Sequence, residues 1–307
     1  HLHIYYGKLT ASILQPMRNA GIPIVQTLHE YKLICPVYTL VSNGKICEAC
    51  SGGHFWQALP RRCNRNSLSR TLLSVTESYI SKGLGSLKAV DHFITVSHFQ
   101  RQKMIDHGVP PEKLSTLYNF VDLAKFSPMS HSGSYVVYFG RIESIKGVFT
   151  LLEAITLLEH IPLLIVGKGG DENALKQEIE KRNLKHVQFL GFLEGKKLSD
   201  VIGGATCVVV PSEWYETFGL TVVESFARAR PVIASRIGGI TELISEGEDG
   251  LLFEPGNALE LREKIEWLFH RPQEAQAMGW RGRYKVEGNF TSDIYYDGLM
   301  SIYNKLL

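Results

Sequence analysis

Residues 211–235 read PSEWYETFGLTVVESFARARPVIAS. This pattern predicts the end of a strand, a loop, a helix and a second strand. Glu216 falls in the loop and Glu224 in the helix, with seven residues between them. The helix N-terminus offers backbone N–H groups and a positive dipole end, which suit phosphate or sugar hydroxyls. Its first residues are Thr217, Phe218, Gly219, Leu220 and Thr221. The spacing alone leaves a solvated surface loop with two glutamates as the alternative.

Short apolar strands alternate with helices around this stretch. The second half of the sequence predicts strands at 135–139, 163–166, 187–190, 207–210, 231–234 and 251–253, with helices at 147–158 and 172–182. Continuous apolar strands are typical of parallel sheets covered by helices on both faces. Six strand–helix repeats in about 120 residues predict a Rossmann-like domain.

The first half predicts fewer units. We expect strands at 22–27, 93–96 and 114–118, a helix capped by Ser97, a linker at 122–133 and a helix at 291–306 capped by Thr291. The predicted domains are 1–128, 129–288 and 289–307, the last being a helix that returns to the first domain. The opening HLHIYYGKL resembles a strand end, so we expect a first domain that lacks its N-terminal part.

The hydrophobic and charged content of the chain argues against a membrane-spanning protein and a nucleic-acid-binding protein. The chain has 307 residues, of which 44% are hydrophobic and 21% charged, and no apolar run suits a membrane span, so we expect a cytoplasmic protein. Residues 1–130 carry 14 lysines and arginines against 7 acidic residues, and the remainder carries 19 against 24. The basic half favours an anionic acceptor or the inner membrane surface, and an ordinary charge spread is equally open. No basic–aromatic tract predicts nucleic-acid binding.

Four of the five cysteines fall within 29 residues, with the spacing C-x11-C-x2-C-x12-C. They are Cys35, Cys47, Cys50 and Cys63. Four thiolates are the count that a tetrahedral structural zinc ion requires. Free thiols and disulfides remain open alternatives, although an intracellular protein keeps its cysteines reduced.

Several motifs, in the same order along the chain, resemble those of the large retaining glycosyltransferase family with the E-x7-E motif (family 4 type, glycosyl transferases group 1). Beside residues 211–235 they are YNFVD at 118–122, FGRIESIKG at 139–147, VGKGG at 166–170, LGFL at 190–193 and GGITELISEGEDG at 238–250. On these matches the chain is identified as a member of that family. The resemblance implies an α/β, GT-B fold of two facing Rossmann-like domains, with the donor nucleotide held by the second.

The family's functional residues map onto this sequence one by one. The resemblance implies that Arg141 and Lys146 bind the donor diphosphate, that Glu216 contacts the transferred sugar, and that Glu224 contacts the ribose. His29 corresponds to the family's active-site histidine near the sugar and acceptor. The remaining donor-binding positions implied are Gly140, Gly167, Lys168, Gly169, Phe192, Leu193, Thr217, Phe218, Gly219, Leu220 and Thr221.

The resemblance implies a nucleotide-sugar donor and a saccharide or lipid-linked acceptor, as in polysaccharide or glycolipid synthesis. UDP-, GDP- and ADP-sugars all remain open as donors. No D-x-D occurs in the sequence, so we expect no catalytic metal. Two alternatives are a nucleotide-sugar epimerase on the same fold and a non-catalytic nucleotide-sugar-binding fragment. The two glutamates together with Arg141 and Lys146 favour the transferase.

Overall fold

The computed structural model describes residues 1–6, 9–128 and 133–306. The chain divides into two compact units, one formed by His1–Tyr118 with Tyr295–Leu307 and the other by Asn119–Ile294. Each unit contains a parallel sheet. No helix within the described ranges has the length and apolar character needed to cross a membrane.

The first unit is built around a three-stranded parallel sheet of order β1-β4-β5. Its strands are β1 Val25–Leu28, β2 Val41–Ser42, β3 Lys45–Ile46, β4 His92–Thr95 and β5 Leu114–Thr116, and β2 and β3 form a separate antiparallel pair. Its helices are α1 Leu14–Asn19, α2 Leu68–Gly83, α3 Ser86–Ala89 and α4 His98–Asp106.

Local sequence signals explain the ends of the elements in this unit. Ser97 caps α4, its hydroxyl accepting from the Gln100 N–H at 3.0 Å, as the sequence predicts. Leu2 adds a parallel bridge beside Gln26 of β1. The C-terminal helix α11 spans Ser292–Asn304, and its Ile302 packs on the sheet residues Val25 and Ile94.

The second unit contains one six-stranded parallel sheet. Its strands are β6 Val136–Arg141, β7 Leu163–Lys168, β8 Val187–Gly191, β9 Cys207–Val210, β10 Val232–Ser235 and β11 Gly250–Phe253. Its helices are α5 Val148–Ile155, α6 Glu172–Lys181, α7 Gly195–Gly203, α8 Leu220–Phe226, α9 Ala258–Phe269 and α10 Pro272–Asn289. All six predicted strands are present, with ends that move by at most two residues.

The strand order β11-β10-β9-β6-β7-β8 is the doubly wound order of a Rossmann-like sheet. The chain runs outward from β6 to β8, then returns to the other side of β6 for β9 to β11. The strand order therefore reverses between β6 and β9, which pair in parallel at Val136 with Cys207. In open sheets of this kind, ligands bind outside the carboxyl ends of the strands at such a reversal.

Candidate functional site

A pocket of about 220 Å³ lies at the carboxyl ends of β6 and β9, where the strand order reverses. Five residues predicted from the sequence line it: Gly140, Arg141, Lys146, Glu216 and Thr221. Gly140 and Arg141 end β6, whereas Glu216 lies in the loop after β9. The topology thus brings together side chains that are 70 or more residues apart in the sequence.

The most buried charges of the pocket form an ion pair. Lys146 Nζ lies 2.6 Å from Glu216 Oε1, and only 17% and 12% of the two side chains are exposed. The Ser212 hydroxyl donates to the same Glu216 oxygen at 2.7 Å. The Lys146 ammonium also lies 4.8 Å from the centre of the Trp214 ring. Pairing and hydrogen bonds compensate a buried charge for the water that it loses, so this arrangement holds the Lys146 and Glu216 side chains together.

Backbone contacts hold the loop that carries Glu216. The Glu213 N–H donates to the Ile145 carbonyl at 2.9 Å, and the Gly239 N–H donates to the Glu216 carbonyl at 2.8 Å. The Thr150 hydroxyl donates to the Glu213 carboxylate at 2.5 Å. The loops after β6, β9 and β10 are therefore bonded to one another around the pocket.

Gly147 allows the closest of these approaches. Its φ is +70°, and a Cβ added there would lie 1.7 Å from the Pro211 carbonyl oxygen. Only glycine satisfies both the left-handed backbone and this contact. The loop after β6, which carries Lys146, can thus pack directly against the end of β9.

The carboxyl end of β7 continues the edge of the pocket. Gly167 backs Gly140 so closely that an added Cβ would lie 1.8 Å from the Gly140 carbonyl oxygen. The Lys168 ammonium lies 4.2 Å from the centre of the Phe192 ring, which is 54% exposed. Arg141 is paired in register with Lys168 and forms an exposed ion pair with Glu143 at 3.1 Å. Two cations and an accessible aromatic ring therefore lie along this edge.

Helix α8 begins after Gly219, whose φ is +115°. Thr221 and Glu224 are three residues apart on this helix and share a face, so Glu224 lies on the face that borders the pocket. Burial raises the pKa of the Glu224 carboxyl, and the Arg228 guanidinium partly offsets that rise. Phe218 is buried, with its ring against Phe290.

The remaining predicted donor residues do not line the pocket. They lie at or just after the ends of β7 and β8, directly before α8, and within α8: Gly167, Lys168, Gly169, Phe192, Leu193, Thr217, Phe218, Gly219, Leu220 and Glu224. Tyr138, Ser212 and Trp214 were not predicted as site residues from the sequence. The Tyr138 hydroxyl donates to the Arg141 carbonyl at 2.6 Å, and burial and the Glu216 charge raise its pKa. Ser212 and Trp214 lie in the motif 211–235 itself, whereas nothing in the sequence singles out Tyr138.

His29 lies in the first unit, directly after β1. Its Nε2 is 2.8 Å from His3 Nδ1, and the two rings stack with centroids 5.1 Å apart. Burial lowers the pKa of His29, and the His3 charge lowers it further, so the imidazole is neutral at neutral pH. His1 stacks on His3 in turn, with its Nε2 2.7 Å from the Thr27 hydroxyl. The three histidines therefore form a stack beside β1.

Comparison with known proteins follows the same division of the chain. Residues 123–285 match the family model described as Glycosyl transferases group 1, and residues 1–125 match the one described as Glycosyltransferase Family 4. The chain belongs to the glycosyl transferases group 1 family. The predicted family membership is thereby confirmed.

Curated relatives of this group 1 chain carry glycosyltransferase names. The capsular polysaccharide biosynthesis glycosyltransferase CapM of Staphylococcus aureus is 28% identical over 243 residues, which are 77% of this chain and 62% of CapM. The O-antigen chain mannosyltransferase C of Escherichia coli is 29% identical over 176 residues, 57% of this chain and 47% of that protein. The chain thus spans between 47% and 62% of the length of these two relatives.

Solved structures agree on the fold of this group 1 chain. Anabaena Alr3699/HepE, in complex with UDP and glucose, superposes with a TM-score of 0.75 at 20% identity, over 97% of this chain and 76% of that one. The sucrose-phosphate synthase of Thermosynechococcus elongatus gives 0.76 at 22% identity, over 96% and 71%. The predicted α/β, GT-B fold class is confirmed.

Proposed function

We propose that this chain is a retaining glycosyltransferase that moves a sugar from a nucleotide-sugar donor to an acceptor hydroxyl. The observation that carries the proposal is the buried Lys146–Glu216 pair in a pocket where the strand order of the Rossmann-like sheet reverses. Membership of the group 1 family supports it, as do the glycosyltransferase names of the relatives.

The cations of the pocket suit the leaving diphosphate. When the bond between the anomeric carbon and the diphosphate oxygen breaks, about two negative charges develop on the diphosphate, and fixed cations stabilise them. Lys146 is held in place by its pair with Glu216. Arg141 is 55% exposed, and its ion pair with Glu143 lies at the surface, where the guanidinium can exchange that partner for a phosphate. In the proposed step the acceptor oxygen bonds to the anomeric carbon on the same face, and its proton passes to the leaving phosphate oxygen.

Glu216 is proposed as a positioning group and not as a nucleophile. One of its oxygens already accepts from Lys146 and Ser212, so the orientation of the carboxylate is fixed. Its remaining lone pairs can accept hydroxyls of the transferred sugar. Because the sequence lacks a D-x-D, we propose that added Mg²⁺ is not needed for transfer.

The nucleoside is proposed to lie along the ends of β7 and β8. The exposed Phe192 ring offers a stacking face beside Lys168, and Glu224 on α8 offers a carboxylate for the ribose hydroxyls. The Anabaena structures were solved with UDP and with UDP-glucose, so UDP-glucose is the first donor to test here, before GDP- and ADP-sugars.

Glu224 gives a pH prediction. Burial raises its pKa in the folded chain, and only the ionised carboxylate accepts both ribose hydroxyls. The affinity for a nucleotide-sugar should therefore fall as the pH drops through this raised pKa, by about tenfold for each pH unit below it. Titration calorimetry with UDP-glucose measures this cleanly, because its doubly esterified diphosphate does not titrate in that range. Glu224→Gln should bind UDP-glucose more weakly at neutral pH, and its affinity should no longer fall as the pH drops. If Glu224→Gln keeps the pH profile of the wild type, Glu224 does not bind the ribose.

His29 of the first unit is proposed to act on the acceptor side of the reaction. Its lowered pKa keeps the imidazole neutral, and the stack with His3 fixes the ring plane. A neutral imidazole can donate a hydrogen bond to a sugar hydroxyl or accept one from it. It carries no positive charge that would attract the diphosphate.

A lipid-linked acceptor is supported by the surface of α2. Four apolar side chains of this helix are between 52% and 72% exposed: Leu68, Leu72, Leu73 and Ile80. Arginines lie before and within the helix: Arg61, Arg62, Arg65 and Arg70. Apolar side chains flanked by basic ones suit the surface of an anionic membrane. There each basic residue contributes about 1 kcal/mol to the free energy of membrane binding. We propose a cytoplasmic enzyme that binds peripherally to the inner membrane surface.

This surface predicts sedimentation with vesicles. The chain should sediment with vesicles containing phosphatidylserine at low salt, and less with added salt, since salt screens the arginines. Leu73→Glu should weaken sedimentation, whereas Leu157→Glu, at an equally exposed leucine of the second unit, should not. Equal sedimentation of both variants, or none by the wild type at low salt, would refute the membrane proposal and favour a soluble saccharide acceptor.

The function itself is tested by incubating the chain with each nucleotide-sugar and candidate saccharide acceptors, and analysing products by mass spectrometry and NMR. We expect a new glycoside with the donor's anomeric configuration and release of the nucleoside diphosphate. An inverted product would contradict retention. An intact donor with an altered sugar would indicate an epimerase, and binding without turnover would indicate a non-catalytic module.

A further inference from the structure

The long segment between β1 and α2 contains the four clustered cysteines and little regular structure. It runs from residue 29 to residue 67, and its only strands are the two-residue β2 and β3. Long segments of this kind inside a compact unit need additional interactions to hold one conformation. All four cysteines are free thiols in the structure, and Cys35 and Cys50 are buried.

Leu40 joins the first two cysteines. The Cys35 carbonyl accepts the Tyr38 N–H at 2.9 Å, in a turn that leads directly to Leu40. The Leu40 carbonyl, in turn, accepts the Cys47 N–H at 2.8 Å. The β2–β3 hairpin reverses the direction of the chain. Cys47 therefore lies beside Leu40, at the end of the segment that follows Cys35.

The other two cysteines come back to the same hairpin. Cys50 and Cys63 pack into one small apolar cluster with Phe55, Ala58 and Val75. The Cys63 thiol lies 3.7 Å from the hydroxyl of Ser42 in β2. Cys63 therefore contacts the hairpin that Cys35 and Cys47 flank in the sequence, and Cys50 packs with Cys63.

We propose that Cys35, Cys47, Cys50 and Cys63 bind one structural zinc ion as four thiolates. Four thiolates fill the tetrahedral shell of zinc and leave no open position, so the ion would be structural and not catalytic. Binding releases the four thiol protons to solvent as four Zn–S bonds form. The ion would fix the segment 29–67 next to β1.

A second group of side chains has the chemistry to bind a metal ion, so the test must distinguish it from the cysteines. In the described part of the chain, the ligand atoms of His160, Glu266 and His270 lie within 4.8 Å of one another, and all three residues are exposed. No three of the four cysteine sulfurs meet this distance in the structure, so zinc binding requires these sulfurs to move closer together. Any measured metal must therefore be assigned to one set or the other.

The test measures zinc in the chain purified without a polyhistidine tag or chelator. We expect about one zinc per chain, retained in His160→Ala/His270→Ala and lost in Cys47→Ser/Cys50→Ser. Cobalt in place of zinc should give the sulfur-to-cobalt charge-transfer bands of a tetrahedral thiolate site. Because the serine variant can fail to fold, a mercurial thiol reagent is also titrated into the wild type, with released zinc followed by a metal dye; release should track modification of these thiols.

Three outcomes would overturn the zinc proposal. Zinc that is absent from the wild type would do so, as would zinc lost only in the histidine variant, which would assign it to His160, Glu266 and His270. An intact mass lowered by the hydrogens that disulfides lose would show that the cysteines are paired instead. Cys207→Ser is the control for general loss of a cysteine, since Cys207 lies in β9 and should leave the zinc content unchanged.

Discussion

Lys146→Met should lower kcat/KM for transfer by about 10²- to 10³-fold, the loss typical of removing one group that stabilises charge in a transition state. Methionine keeps the length of the side chain and removes its charge. Lys146 is the least exposed cation of the pocket, at 17%, and low exposure strengthens its interaction with the leaving diphosphate. The substitution also leaves the Glu216 carboxylate, 12% exposed, with Ser212 and without its cation. Steady-state kinetics with the donor that the transfer assay identifies measures the loss.

A matched control separates this effect from a general change in charge. Lys181→Met removes an exposed lysine of α6, whose side chain is 75% accessible, and should leave kcat/KM within about twofold of wild type. Melting temperatures of both variants report whether the fold is intact. If Lys146→Met folds and transfers sugar at the wild-type rate, Lys146 does not stabilise the leaving group.

Gly147→Ala should destabilise the chain by about 3 kcal/mol or more. A left-handed backbone costs a non-glycine residue about 1–2 kcal/mol, and forcing extra atoms into a packed site costs about 1–3 kcal/mol more. Here φ is +70°, and the new Cβ would lie 1.7 Å from the Pro211 carbonyl oxygen, so the loop after β9 has to move. That loop carries Glu216, so donor binding should weaken together with stability. Urea unfolding and donor titration measure the two effects.

Gly170→Ala is the control, because nothing lies within 4 Å of a Cβ added at Gly170 and its φ is not in the left-handed region. It should be neutral or slightly stabilising, since alanine restricts the unfolded chain more than glycine does. Equal stability of the two alanine variants would show that the loops after β6 and β9 do not pack as described.

Most strands of the second unit were predictable because they are almost wholly buried, as β9, β10 and β11 are; β8, at the sheet edge, has exposed residues. The strand predicted at 207–210 is β9 as found, and the one predicted at 187–190 is β8 with one more residue. Continuous apolar runs between turn signals identify such strands without knowledge of their neighbours. The alternation of strands and helices predicts a parallel sheet but does not specify the order of its strands. The reversal of strand order between β6 and β9 is known only from the structure.

The first unit was less predictable. The strand predicted at 22–27 is Val25–Leu28, and the β2–β3 hairpin was not predicted. A strand of two residues has no periodicity to detect. The hairpin is defined by contacts such as Leu40 with Cys47, which depend on the whole segment 29–67.

The candidate site could be predicted as a set of residue types and not as a geometry. Lys146 and Glu216 were both identified from their motifs, but their ion pair joins residues 70 positions apart. Ser212 donates to the Glu216 carboxylate and Tyr138 donates to the Arg141 carbonyl, and neither contact can be read from the sequence. The assignment of Glu224 and Phe192 to the nucleoside rests on the family resemblance together with their positions beside the pocket.

The central claim is that the second unit binds a nucleotide-sugar through the Lys146–Glu216 pocket. Its most direct test is thermal unfolding of the wild type, Lys146→Met and Lys181→Met with UDP-, GDP- and ADP-sugars. At a donor concentration of about 100 times the dissociation constant, binding adds about 2.7 kcal/mol, which raises Tm measurably. We predict that one nucleotide series stabilises the wild type and Lys181→Met and not Lys146→Met. Stabilisation of all three chains alike, or of none by any series, would contradict the claim.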